Sequence, residues 1–124
     1  MRCLIVDDND AFLEVARNLL EEEGLSVVGV ATTGAEALRQ LEAWRPDVVL
    51  VDVFLGEESG VKLARRLVEE GRLVPATVIL ISSHSADDVG DLIAAGSADG
   101  FITKAELSAA AIRQVVDANG RRDT

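Results

Sequence analysis

Three aspartates, two serines and a lysine stand in this chain where short apolar runs end. Leu4 to Val6 runs into Asp7 and Asp8, Val48 to Val51 into Asp52, Val78 to Ile81 into Ser82 and Ser83, and Phe101 with Ile102, after Thr103, into Lys104. Each has an ordinary explanation on its own. The acidic pair could complement the positive end of a following helix, Asp52 could be a solvated loop carboxylate, Ser82 a turn residue and Lys104 a surface cation. Together they are harder to dismiss, because an apolar run ending in a polar group four times over is difficult to obtain without a ligand. Three carboxylates brought together repel one another unless a cation neutralises them, and oxygen-only ligands suit magnesium or calcium rather than zinc. The chemistry to look for is therefore cation-assisted, with a carboxylate, a hydroxyl and an ammonium available.

Whether these groups meet depends on the elements that carry them. The apolar runs are Cys3 to Val6, Val27 to Ala31, Val48 to Val51, Val78 to Ile81, and Phe101 with Ile102. They are continuous rather than alternating and rich in Val and Ile, as parallel strands covered on both faces are. Helical periodicity fills the gaps. Phe12, Val15, Ala16, Leu19 and Leu20 form one stripe, Ala37, Leu38, Leu41 and Trp44 a second, and Val61, Ala64, Leu67 and Val68 a third. Val89, Leu92 and Ile93 form a short fourth, and Leu107, Ala111, Val115 and Ala118 a fifth. Thr33 with Glu36, Ser85 with Asp88 and Thr103 with Glu106 have capping-box spacing, which predicts helix starts. Gly24, Gly71, Gly96 and Gly120 stand where helices one, three, four and five should stop, and Pro46 and Pro75 precede the third and fourth strands.

Strict alternation of strand and helix predicts a doubly wound (βα)5 domain, because each right-handed parallel crossover needs a helix. The expected fold is flavodoxin-like, with a parallel sheet in the order 2-1-3-4-5. In that order strands one, three, four and five are consecutive neighbours. Ligands of such sheets bind beyond the carboxyl ends of the strands, where Asp7, Asp8, Asp52, Ser82 and Lys104 would line one crevice. The fold alone does not specify a chemistry.

Composition narrows the partners. The 124 residues make one domain, expected over residues 1–120 with 121–124 as a tail. A formal net charge of -10 repels a polyanion, so nucleic acid is not an expected partner of this chain alone. The lone Cys3, inside an apolar run, allows no internal disulfide and suits a reducing compartment. No window approaches the ~18 apolar residues of a membrane span, so no membrane association and a cytoplasmic location are expected.

The motifs LIVDD (Leu4 to Asp8), VVLVDVFLGEESG (Val48 to Gly60), VILISSH (Val78 to His84) and GFITK (Gly100 to Lys104) resemble those of two-component response-regulator receiver domains. The resemblance covers essentially the whole chain. It extends to the spacing: 30 residues from Asp52 to Ser82, eight from Asp52 to Gly60 and three from Phe101 to Lys104. It implies that Asp52 is the phosphoacceptor. Asp8, Asp52 and the backbone carbonyl of Phe54 would bind magnesium (Mg2+) directly, with Asp7 acting mainly through water. Ser82 would be the switch hydroxyl, Phe101 the aromatic switch and Lys104 the phosphoryl-binding lysine. Phe54 and His84, two beyond Asp52 and Ser82, would flank the water path and set the dephosphorylation rate. The implied donor is a sensor histidine kinase, a phosphotransfer protein or a small acyl phosphate. Phosphorylation would reshape the face of the fourth helix, fifth strand and fifth helix, towards a downstream protein, a tethered output domain or a homodimer. Such a domain assists its own phosphorylation and dephosphorylation without being an enzyme acting on others.

Three residues depart from the family pattern. Gly56 replaces a common proline and suggests a looser loop. Ala105 follows Lys104 where a cis proline is common, and a cis bond there would cost about 2.5–4 kcal/mol, so trans is expected. Phe101 lacks the hydroxyl of a frequent tyrosine. Two other functions compete. Asp8-Asn9-Asp10 fits the DxD of haloacid-dehalogenase-type phosphatases, which also form an aspartyl phosphate, but that family typically has a cap or larger core and Asp52 would be left without a role. A pseudo-receiver that binds without phosphorylation is opposed by the joint presence of Asp7, Asp8, Asp52, Ser82 and Lys104.

Overall fold

The computed structural model describes residues 1–70, 76–85, 87, 90 and 98–122. Five parallel strands, β1 (Arg2–Val6), β2 (Ser26–Ala31), β3 (Val48–Asp52), β6 (Thr77–Ser82) and β7 (Gly100–Thr103), form one sheet in the order β2-β1-β3-β6-β7. These are the five expected strands in the expected 2-1-3-4-5 arrangement. The strands divide their side chains between two cores. Leu4, Val6, Val49, Val51, Val78 and Leu80 face one way, onto Ala37 and Leu41 of α2 (Gly34–Trp44) and Ala64 and Leu67 of α3 (Gly60–Glu70). Cys3, Ile5, Val48, Leu50, Ile79 and Ile81 face the other way, onto Leu13, Ala16 and Leu20 of α1 (Asp10–Glu22) and Ile112 of α4 (Ala109–Arg122). This double burial explains why the interior strands read as continuous apolar runs, while edge strand β2 is only partly covered. Burial also pushes the Cys3 thiol up to about 12, leaving it an inert core group.

Several local signals behave as the sequence predicts. Thr33 caps α2 by accepting the Glu36 N–H, and Gly24 ends α1 at φ +95°. Others differ. Thr103 and Glu106 hydrogen-bond each other across a single 3-10 turn (Lys104–Glu106), and the chain then extends at Leu107. Helix α4 starts afresh after Ser108, whose hydroxyl accepts the Ala111 N–H, while Glu23, just past the end of α1, accepts the Ala109 N–H. Gly120 does not end α4, which continues to Arg122. A glycine costs only about 1 kcal/mol in a helix. Val15 and Trp44, assigned to buried stripes, are 65% and 48% exposed, Val15 because it lies off the face formed by Leu13, Ala16 and Leu20 and Trp44 because it is the last residue of its helix. The expected Ser85–Asp88 cap, the Val89, Leu92 and Ile93 stripe, and the features at Gly71, Pro75 and Gly96 fall outside the described residues.

One element was not foreseen. After Asp52 the chain forms an antiparallel hairpin of β4 (Phe54–Leu55) and β5 (Glu58–Ser59) around Gly56 and Glu57. Gly56 has φ +59°, inaccessible to proline. The turn thus uses a backbone conformation that the common proline could not supply.

Candidate functional site

The carboxyl edge is assembled by strand register. Val6 pairs with Val51, Asp52 with Ile81 and Ser82 with Thr103, so the residues that end four neighbouring strands are brought side by side. Three of these ends use the same device, a side-chain oxygen that accepts the backbone N–H two residues on. Asp7 Oδ1 accepts from Asn9 at 2.9 Å, Asp52 Oδ1 from Phe54 at 3.1 Å and Ser82 Oγ from His84 at 3.0 Å. The chain is thereby turned away from the sheet while the second oxygen of each buried aspartate is left to the crevice.

Those second oxygens meet Lys104. Its Nζ donates to Asp52 Oδ2 at 3.2 Å and lies 2.6 Å from Asp7 Oδ2, a charge contact without hydrogen-bond alignment. The Lys104–Ala105 bond is trans, as expected. The ammonium also sits 4.2 Å from the centre of the Phe12 ring. Asp7 and Asp52 are buried and Asp8 is exposed, and one oxygen of each can lie within 4.8 Å of the others.

The electrostatics follow from this crowding. Burial, then the charge of Asp7, raises the Asp52 carboxyl above its ordinary value, against the opposing Phe54 N–H and Lys104. Burial alone would lower the Lys104 ammonium, but its pairing with Asp7 and the charge of Asp52 outweigh it and raise the group overall. One ammonium cannot balance three carboxylates. Lys104 draws closest to Asp7 Oδ2 and next to Asp52 Oδ2, and Asp8 is left without a contact to it. This all-oxygen set fits a hard divalent cation.

Two glycines shape the rim. A Cβ on Gly60 would overlap the backbone carbonyl oxygen of Asp52, and the Gly60 N–H donates to Val53 O at 3.0 Å. A Cβ on Gly56 would stand 3.4 Å from Asp8 Oδ2. The other expected site residues lie around this centre. Ser82 is buried, and Phe101 is half-buried against the core. Phe54 is 49% exposed and meets His84 edge-on, with ring centres 5.3 Å apart. Sequence reasoning treated Phe12 only as core and gave no role to Glu58, whose carboxylate accepts the Gly34 N–H at the start of α2. Nothing in the spacing of either residue signals its partner.

Fold and edge together define a flavodoxin-like domain with a cluster of three aspartates facing a lysine. The chain belongs to the response regulator receiver domain family, which it matches over residues 3–117. It is 34% identical over 95 residues to protein-glutamate methylesterase/protein-glutamine glutaminase 3 of Hahella chejuensis, covering 77% of this chain and 26% of that protein. It is 27% identical over 106 residues to the DNA-binding transcriptional activator EvgA of Escherichia coli K12, covering 86% of this chain and 51% of that one. The chain thus spans a quarter to a half of these curated relatives. Among solved structures it resembles a LuxR-family two-component response regulator from Aurantimonas sp. SI85-9A1, with TM-score 0.81, 26% identity and 94% and 85% coverage of the two chains. It also resembles the signal receiver domain of a modulated diguanylate cyclase from Desulfovibrio desulfuricans G20, with TM-score 0.75, 29% identity and 94% and 90% coverage. Among the described residues no helix is long and apolar enough to cross a membrane.

Proposed function

We propose that this receiver domain takes a phosphoryl group onto Asp52 from a phosphohistidine of a sensor kinase or phosphotransfer protein, or from a small acyl phosphate. The observation that carries the reading is the placement of Asp52: it ends the central strand, is flanked by Asp7, and has one oxygen held by Phe54 N–H and the other by Lys104. An Asp52 oxygen attacks phosphorus, the bond from phosphorus to the donor nitrogen or oxygen breaks, and the donor leaves with that electron pair. Such a transfer has a loose transition state, so positioning and charge neutralisation do most of the work. Lys104 provides a positive charge for the phosphoryl oxygens, and Asp8, Asp52 and the Phe54 carbonyl would hold Mg2+, with Asp7 acting through water. When bound, the ion supplies the remaining positive charge that three carboxylates and an incoming phosphoryl group require.

The same residues suggest how the signal spreads. The Ser82 hydroxyl, now accepting the His84 N–H, would turn to donate to a phosphoryl oxygen. Phe101 would follow into the vacated space, altering the surface around β7 and α4. That surface would then engage a downstream protein, a tethered output domain or a second copy. Relatives that join this domain to a methylesterase or a DNA-binding activator illustrate such outputs. The domain would work in the cytoplasm, as a signalling acceptor rather than an enzyme acting on other substrates.

Incubation with acetyl phosphate and magnesium, followed by intact mass, should show one phosphoryl adduct, absent from Asp52→Asn. An undiminished adduct in Asp52→Asn would refute the assignment.

A further inference from the structure

The contacts of Lys104 close into a ring that the phosphoacceptor reading does not explain. Asp7 Oδ1 accepts the Asn9 N–H at 2.9 Å, and Asn9 Oδ1 accepts the Phe12 N–H at 3.1 Å. The Phe12 ring lies 4.2 Å from Lys104 Nζ, and Nζ returns to Asp7 Oδ2. The residue that caps α1 therefore also anchors the backbone from which the Phe12 ring projects. We infer that Phe12 is a positioning residue, its ring holding the Lys104 ammonium over the crevice between Asp7 and Asp52.

The physical argument concerns what a neutral partner can do that a charged one cannot. Lys104 stands just after β7, with a long unbranched stem and three N–H groups to place. Asp7 and Asp52 attract it, but on the proposed reading Asp52 becomes phosphorylated and Asp7 takes part in cation binding. Both attractions would then change during the reaction. The face of an aromatic ring attracts an ammonium through its quadrupole without altering its charge or competing for metal. Phe12 can thus keep hold of the ammonium while its carboxylate partners are redirected. A leucine would retain most of the packing that half-buried Phe12 makes against the core on this side of the sheet, yet offers no such face.

This inference rests on the acceptor reading for its consequence, though not for the geometry, so two measurements are needed. In proton NMR spectra of the full chain, the ε-methylene protons of Lys104 should lie upfield of those of an ordinary lysine because of the ring current, and Phe12→Leu should abolish the shift. In phosphorylation by acetyl phosphate at saturating magnesium, Phe12→Leu should slow the rate about five-fold, and Phe12→Trp should restore it. Replacing Phe12 by mono-, di- and trifluorinated phenylalanine changes shape little while draining charge from the ring face, so the rate should fall stepwise. Packing alone would leave that series flat. A flat series, or a Lys104 methylene at its ordinary shift, overturns the inference. If the parent takes up no phosphoryl group, the acceptor reading fails, and the upfield shift by itself decides whether Phe12 positions Lys104.

Discussion

Aspartates stand at both ends of this sheet and are used in opposite ways. At the amino edge, Asp47 Oδ2 accepts the Arg2 N–H at 2.8 Å while the Asp47 N–H donates to Arg2 O. Asp99 repeats the pattern on Val78, its Oδ2 accepting that N–H at 2.8 Å and its own N–H donating to Val78 O. Each clips the start of its strand to a neighbour. At the carboxyl edge, Asp7 and Asp52 commit one oxygen to a backbone amide and leave the other beside a second carboxylate and Lys104. The amino edge satisfies its acids locally, whereas the carboxyl edge gathers more acid than its own lysine balances. That is the signature of a surface shaped for something other than stability.

The largest effect that would probe this contrast comes from Gly60. Its hydrogen meets the Asp52 carbonyl, so Gly60→Ala must displace the backbone that carries the proposed acceptor. Overpacking there should cost about 3 kcal/mol and abolish phosphoryl uptake. In Gly29→Ala the new methyl overlaps the movable end of Gln40, with Leu4 Cδ1 at contact distance, and should cost about 1 kcal/mol through the Gln40 to Val30 hydrogen bond. Urea denaturation of both variants checks the order. Equal midpoints would mean that the acceptor backbone is not held as tightly as its contact with Gly60 indicates.

The two edges should also respond oppositely to losing an acid. Asp47→Ala removes a strand clip and should destabilise by about 1 kcal/mol. Asp52→Asn, without added divalent ions, should stabilise, because the neutral amide can still accept from Phe54 while the repulsion with Asp7 disappears. The pH dependence follows from the raised Asp52 pKa. A carboxyl that holds its proton more tightly when folded contributes stability at low pH, lost as pH rises through the folded value. The advantage of Asp52→Asn should therefore be absent in acid, grow as the parent Asp52 ionises and persist at neutral pH. Thermal midpoints of parent and variant across that range are the check, and a variant less stable than the parent at neutral pH would contradict it.

The smallest effect concerns the lifetime of the phosphoryl group. Phe54 places an apolar, half-exposed ring against His84 beside the edge, and it offers no hydrogen bond to an approaching water. Phe54→Asn should shorten the lifetime several-fold, followed by mass in saturating magnesium. An unchanged decay would show that this ring is not the barrier.

Much of this contrast is legible in the sequence because strand polarity can be read there. An aspartate that follows a Val- and Ile-rich run belongs to the carboxyl edge, and Asp47, just before Val48, belongs to the other. Parallel pairing then obliges Asp7, Asp52, Ser82 and Lys104 to meet. What escaped the sequence lacks a period. Strands of two residues, as in the hairpin after Asp52, are too short to alternate. The left-handed end of α2 falls on Arg45 at φ 46°, a position where glycine would be expected. Thr103 and Glu106 have the spacing of a helix start but close on each other. Phe12 fits a helical stripe equally well whether its ring meets core or ammonium, and only the fold brings Lys104 within reach.

The central claim is that the carboxyl edge is built around Asp52 as acceptor. Its most direct test is to treat the protein with acetyl phosphate and magnesium, reduce the acyl phosphate with borohydride, and locate the modified residue by peptide mass mapping. The account predicts that Asp52 is converted to homoserine and that Asp7 and Asp8 are unchanged. Conversion at Asp8 instead would favour a dehalogenase-type aspartyl phosphate and contradict it.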